Sequence, residues 1–317
     1  MNVGKPGGKG VDFYLDTRHL YMVLAVIVVF FLVFFPNIGL ATATASEARF
    51  APTDAWCSSL SWLKENTPEP FGDPNFYYKE HEAVPPGESY KYPESAYGVT
   101  AWWDYGYWIT RMAHRMPSAN PSQDPEVLTS VASLFTSQDE NSANEIVQKF
   151  DSSYLIIDYD ISTGKFWAVV TWAGKNSAEF FDIYHIPKED KLVPVQLFYP
   201  EYYRSLSTRL YNFDGKAVTP EKSIVISYQE KVSQDGKDYK QVTDAKQFDT
   251  YEDAEAYLSS QKSANYKIIS ENPFASPVPL EALKHYRLIH GSSQVRARPG
   301  GGEIPLVKIF EYIDSAP

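Results

Sequence analysis

Two indoles, a carboxylate, a phenol and a glycine stand in a row at Trp102-Trp103-Asp104-Tyr105-Gly106. On a regular strand successive side chains point to opposite faces, so two large adjacent rings cannot both enter one core. A turn or the lip of a pocket suits them better. There the two indole N–H donors and the carboxylate acceptor could converge on a small polar group such as a hydroxyl. The plainer use of the same residues is a packed aromatic turn in which Asp104 caps the helix that follows. As a binding surface, the run suits a peptide or a sugar: aromatic planes serve both, and an adjacent acid orients a hydroxyl or an ammonium.

Composition narrows the chemistry. The 317 residues carry a net charge of −11. No basic stripe is present to neutralise phosphates, which excludes nucleic acid as a partner. An aromatic content of 15%, with 23 Tyr and 7 Trp, points to a well-packed folded domain. Cys57 is the single cysteine, so no intrachain disulfide forms, and a lone cysteine reads first as a small core residue. The chain has no CxxC, HExxH or GxxxxGK[ST] run. Its histidines at 19, 81, 114, 185, 285 and 290 show no ligand spacing.

One segment must sit outside water. Residues 20–41 are almost wholly apolar, and ~20 such residues cross a ~30 Å hydrocarbon layer as a helix. Ala41-Thr42-Ala43 and Ala43-Thr44-Ala45 resemble signal-peptide cleavage sites. The apolar core is long for a signal, however, and begins well inside the chain, so a retained anchor is expected. Lys5, Lys9 and Arg18 precede it, placing the N-terminus in the cytoplasm and the larger part outside the cell membrane, as a single-pass arrangement.

The elements that must position the aromatic run follow from periodicity and caps. A helix is expected over 53–66, capped by Thr53 or Asp54 and stopped by Thr67-Pro68-Glu69-Pro70. Helices are also expected over 107–116, 124–135, 142–151, within 194–213, over 250–261 and from Leu280. Tyr154-Leu155-Ile156-Ile157-Asp158, residues 223–228, 266–269, 286–289 and 307–313 read as strands, and Gln234-Asp235-Gly236 as a hairpin turn. Residues 162–172 fit helix or strand. The fold class is therefore one transmembrane α-helix followed by a mixed α/β extracytoplasmic globular domain with a small βα insertion. Its expected divisions are a cytoplasmic tail (1–19), a membrane helix (20–41), a core domain with the aromatic run (42–215), the insertion (216–271) and a return to the core (272–317).

The pentapeptide is identical to the WWDYG signature of oligosaccharyltransferase catalytic subunits. Four other segments resemble the same family in the same order: residues 62–70 ahead of the signature, Arg115-Met116-Pro117 to Pro121 after it, residues 155–166 at the position of a second signature of the DxxK or DxxM type, and the ending Val307 to Ile313. The chain thus resembles the last membrane helix and outer domain of such a subunit, of archaeal-like type. The resemblance implies protein N-glycosylation: transfer of a lipid-linked oligosaccharide to asparagine in Asn-x-Ser/Thr of an acceptor polypeptide. It implies that Trp102, Trp103 and Asp104, supported by Tyr105 and Gly106, bind the hydroxyl of the Ser or Thr. It implies a second-motif contact with the threonine methyl, by Ile161 or else Lys165, with Asp158 as a support. The family's catalytic carboxylates and its divalent metal (Mn or Mg) belong to a multi-span region ahead of this part. No catalytic or metal-binding residue is therefore expected in this chain, which alone should bind acceptor and transfer nothing. The competing reading is a membrane-anchored extracytoplasmic peptide- or carbohydrate-binding module without catalysis, indifferent to the hydroxyl.

Overall fold

The computed structural model describes residues 17–314 apart from 47, 49, 50, 81, 82, 89, 190 and 234. Residues 1–16 of the expected cytoplasmic tail, with Lys5 and Lys9, lie outside the described residues, as does Gln234 of the hairpin turn. The chain divides into two compact units, Met1–Ala51 and Pro52–Pro317. The first holds α1 (Thr17–Ser46), a 30-residue helix that continues through Pro36 and buries none of its residues. At 1.5 Å per residue it is about 45 Å long, enough to cross a membrane with length to spare.

The second unit begins with α2 (Asp54–Asn66), where the Thr53 side chain accepts from the Trp56 N–H. After a long Pro- and Tyr-containing stretch comes β1 (Gly98–Thr100), which delivers the aromatic run. That run forms a 3-10 turn over Trp103–Tyr105 and passes into α3 (Gly106–Trp108), then into a π-helical turn, Ile109–Ala113. His114 closes the turn in the left-handed region at φ 50°. β2 (Met116–Pro117) follows. Next come α4 (Pro125–Phe135) and α5 (Glu140–Lys149), capped by Asp124 and Asp139. β3 (Ser152–Asp158) leads into the short α6 (Tyr159–Ser162) and then α7 (Phe166–Trp172). Residues 162–172, open between helix and strand in the sequence, are therefore helical for the most part.

The remaining elements are β4 (Phe181–Lys188), β5 (Lys191–Phe198), α8 (Pro200–Arg204), α9 (Leu206–Phe213), β6 (Ser223–Val232), β7 (Asp238–Phe248), α10 (Tyr251–Ser260), β8 (Tyr266–Ile269), β9 (Tyr286–Gly291), β10 (Val295–Ala297), β11 (Glu303–Pro305) and β12 (Val307–Tyr312). They build two five-stranded sheets and a small hairpin. The first sheet runs β2-β1-β3-β12-β9. In it β1 is parallel to β2 and β3, and β12 is antiparallel to β3 and β9. Six of the seven residues of β3 are buried. A strand covered on both faces reads as a continuous apolar run, which is why Tyr154–Ile157 was legible as a strand. The second sheet runs β5-β4-β7-β6-β8. It takes in β4 and β5 from ahead of residue 216 together with the strands of 216–271. Val225 and Ile268 pack under Ala254 of α10.

The helix expected from Leu280 does not form. Leu280 N–H and C=O pair with the C=O and N–H of Val218 at 3.0 and 2.9 Å, and Leu283 N–H donates to Gly215 C=O at 2.7 Å. These long-range backbone pairs hold the segment extended, and tertiary pairing overrides local helix propensity.

Arg115 ties this architecture to the residues beyond the aromatic run. Its side chain is 1% exposed. Nε donates to Thr67 Oγ1 (2.9 Å), Nη1 to the carbonyls of Ala113 and His114 (3.2 and 2.9 Å), and Nη2 to those of Lys64 and Thr67 (3.1 and 2.7 Å). Glu69 lies 3.5 Å from Nη1. The guanidinium therefore closes the C-terminal end of α2 and the end of the π turn at once. Replacing it strands several buried carbonyls and Glu69. Arg115→Met should destabilise the second unit by about 3–5 kcal/mol, seen as an earlier urea midpoint in tryptophan fluorescence. A variant within about 1 kcal/mol of the parent would show that the clamp is not structural.

Candidate functional site

The five residues of the aromatic run take different places. Trp102 is 2% exposed and Tyr105 5%, both in the main core. Trp103 is only partly buried against that core, and its Nε1 is buried with no hydrogen-bond partner. An unmade buried N–H costs about 1–3 kcal/mol relative to a satisfied one, so an acceptor that reached this donor by a small shift of the turn would be favoured. Asp104, on the same tight turn, is reached by Lys165, whose Nζ donates to Oδ2 at 2.8 Å. The side chains of Asp104 and Lys165 are 26% and 45% exposed, leaving the pair at the surface. Gly106 is a steric necessity. A Cβ there would stand 2.3 Å from the Ala119 carbonyl oxygen and 2.5 Å from Asn120 Cα.

The turn and the second motif meet at Asp158, the last residue of β3. The residue is buried, 6% exposed. Oδ1 accepts from the Ile161 N–H at 2.9 Å, capping α6, and Oδ2 accepts from Trp56 Nε1 at 3.1 Å. The Tyr105 hydroxyl lies against the same carboxylate. Trp56 also packs on Tyr105, ring centroids 4.1 Å apart, and on Trp108 at 5.8 Å. Desolvation lifts the Asp158 carboxyl to about 6, with the donors from Tyr105, Ile161 and Trp56 opposing the rise. Burial, with the neighbouring carboxylate of Asp158, pushes the Tyr105 phenol far up, so it stays a neutral donor.

Of the residues singled out in the sequence, the structure brings together Trp103, Asp104 and Lys165 at the surface and Tyr105 with Asp158 beneath them. Ile161 is elsewhere: at 1% exposed it belongs to the core. Contact between its side chain and a threonine methyl would require the α6 turn to open. Trp56 was legible only as an apolar position of α2. Its role as a donor to Asp158, 102 residues away, had no local signal.

The candidate site is thus a partly exposed aromatic turn, backed by a buried carboxylate and set in a mixed α/β domain. Residues 53–162, which contain α2, the aromatic run and the first part of the second motif, match the AglB core domain family. The chain is 30% identical over 212 residues to dolichyl-phosphooligosaccharide-protein glycotransferase 3 of Archaeoglobus fulgidus, covering 58% of this chain and 24% of that protein. It is 29% identical over 290 residues to dolichyl-monophosphooligosaccharide-protein glycotransferase AglB of Haloferax volcanii, covering 83% and 27%. In fold it resembles the crystal structure of the apo A. fulgidus oligosaccharyltransferase, with a TM-score of 0.52 at 21% identity over 96% of this chain and 37% of that one. Structures of the A. fulgidus oligosaccharyltransferase with Zn and sulfate, with an inhibitory peptide and a dolichol-phosphate, and tethered to an acceptor peptide containing the NVT sequon align at TM-scores of 0.50, 0.51 and 0.52. Together the matches support a C-terminal part of an archaeal-like member of the AglB family carrying the AglB core domain. The chain spans about a quarter of the length of the curated relatives it matches.

Asp158 gives a pH test. Its carboxyl rises from 3.8 to about 6 on folding. Its contribution to stability is thus complete below about pH 4, falls as pH rises to about 6, and stays low above that. The fall amounts to roughly 3 kcal/mol at most. Asp158→Asn, which keeps an acceptor for Trp56 and Tyr105, should lack this fall. Urea midpoints of parent and variant at pH 4 and pH 7 measure it, and parallel pH profiles would count against an ionised, buried Asp158.

Proposed function

We propose that this chain is the acceptor-reading part of a membrane oligosaccharyltransferase that transfers a lipid-linked oligosaccharide to the asparagine of Asn-x-Ser/Thr. The observation that carries the proposal is the unpartnered Trp103 Nε1 on the same turn as Asp104. A hydroxyl is both donor and acceptor, so one Ser or Thr side chain can accept from Trp103 and donate to Asp104. Lys165 holds Asp104 in place from the second motif through a 2.8 Å ion pair. Trp102, Tyr105 and Gly106 fix the turn from below. Support comes from the named activities of the relatives and from the peptide-bearing A. fulgidus structures.

The recognition works by penalty. With alanine in place of the Ser or Thr, the Trp103 donor stays unmade and Asp104 gains no donor beyond Lys165, a loss of about 1–3 kcal/mol. Metal chemistry is not assigned to these residues. Asp104 is engaged by Lys165, Asp158 is enclosed by donors, and the described residues hold no group of three or more His, Cys, Asp or Glu placed to share an ion. The divalent metal and the transfer step are assigned to the multi-span region that the family resemblance implies. α1 is assigned as the membrane span, with the second unit on the extracytoplasmic side.

Fluorescence titration of the full chain in detergent with Asn-x-Thr and Asn-x-Ala peptides tests this. The Thr peptide should bind about 5–100-fold more tightly. Trp103→Phe should erase most of that preference while shifting the thermal midpoint little. Lys165→Gln should weaken the Thr peptide and change stability by less than about 1 kcal/mol, as exposed pairs do. Equal binding of both peptides would sink the proposal and favour the anchored binding module.

A further inference from the structure

A cavity lies away from the aromatic turn. It has a volume of about 560 Å³ and sits where the segments joining the two sheets meet the tip of the β10–β11 hairpin, within the size range of small-molecule sites. Phe213, Val218 and Phe274 supply its apolar wall, and Glu221, Lys222 and Arg298 its charged groups. The hairpin tip is a closed turn: Arg298 N–H donates to Gly302 C=O at 2.9 Å and Gly301 N–H to Arg298 C=O at 3.0 Å. Gly300, Gly301 and Gly302 take φ of 92°, 108° and 80°, a conformation that L side chains resist. The tip is pinned by Asn272, whose amide donates to Pro299 C=O at 3.0 Å.

Within this pocket one demand is unmet. The side chains of Ser270, Asn272 and Ser276 are already hydrogen-bonded to backbone. Arg298 is not satisfied in the same way. Its Nε is buried without an acceptor, and its one side-chain hydrogen bond is a long 3.4 Å contact from Nη2 to the Phe274 carbonyl. Among the described residues no carboxylate forms an ion pair with it. The guanidinium lies 5.4 Å from the centre of the Phe274 ring, which holds the fork over an apolar floor. Arg296 anchors the same hairpin by stacking 4.4 Å from the centre of the Tyr159 ring. An Arg fork matches a planar carboxylate in two parallel hydrogen bonds. The lining charges, one acid against two bases, leave one positive charge to balance.

We infer that this cavity binds a single carboxylate on a small polar body of monosaccharide or amino-acid size, with Arg298 as the recognition residue. The site is separate from Trp103 and Asp104, and the inference stands whether or not the acceptor proposal does. The carboxylate could be carried by an acidic sugar or by an acidic peptide side chain.

Isothermal titration of the full chain in detergent with D-glucuronate, N-acetylglutamate, glucose and inorganic phosphate tests it. One of the two carboxylates should bind, and which of them binds more tightly names the source. Glucose should bind at least tenfold more weakly than glucuronate. Arg298→Gln should lose at least tenfold in carboxylate affinity, Glu221→Gln should gain two- to threefold, and Trp103→Phe should change nothing. Equal binding of glucose and glucuronate, stronger binding of phosphate than of either carboxylate, or an unaltered affinity in Arg298→Gln overturns the inference. The gain expected in Glu221→Gln keeps the test sound if Arg298→Gln fails to fold.

Discussion

A carboxylate removed from water must be surrounded by donors, and at Asp158 those donors come from three distant parts of the chain. Trp56 arrives from α2, Tyr105 from the aromatic turn, and the Ile161 N–H from the helical turn that follows β3. Burying an ion costs several kcal/mol unless such partners are in place. The cost makes the arrangement specific: any packing that misplaces one of the three leaves a buried charge short of a donor. The turn that presents Trp103 and Asp104 is thus located by an interaction lying beneath it. The exposed residues are free to meet a ligand because the buried ones do the holding.

The same division explains the contrast between Asp158 and Asp104. One is enclosed, and desolvation raises its carboxyl. The other lies at the surface beside a lysine. Two acids, 54 positions apart, meet one motif from opposite sides, Asp158 from beneath it and Asp104 at the surface. Arg115 is the cationic counterpart of Asp158. It spends its five N–H donors on an alcohol and four carbonyls, so that the ends of α2 and the π turn need no water.

Much of this was legible in the residues because it is local. The Thr53 and Thr250 caps, the buried run of β3 and the hairpin joining β6 and β7 each follow from neighbours within a few positions. The aromatic pentapeptide announced a turn for the same reason. What escaped is non-local. The stretch at Leu280 has helical spacing, yet Val218, 62 residues earlier, claims its backbone. The β4–β5 hairpin escaped as well. Its strands mix exposed Ile183 and Leu192 with buried Tyr184 and Leu197, and Pro194 interrupts the pattern. Ile161 looked like an available branched side chain, but only packing decides whether such a group faces a ligand or a core.

Gly106 carries a consequence for how mutational damage would be distributed across the motif. Its backbone rests so closely on residues 119–120 that any side chain displaces the neighbouring strand-end loop, whereas Trp103 is only partly buried against the core. Two adjacent kinds of intolerance follow, one of assembly and one of recognition. A survey of variants scored by cellular abundance would register the glycine and pass over the tryptophan. Under the acceptor-reading proposal, the same survey scored by peptide binding would register both alike and hide the distinction.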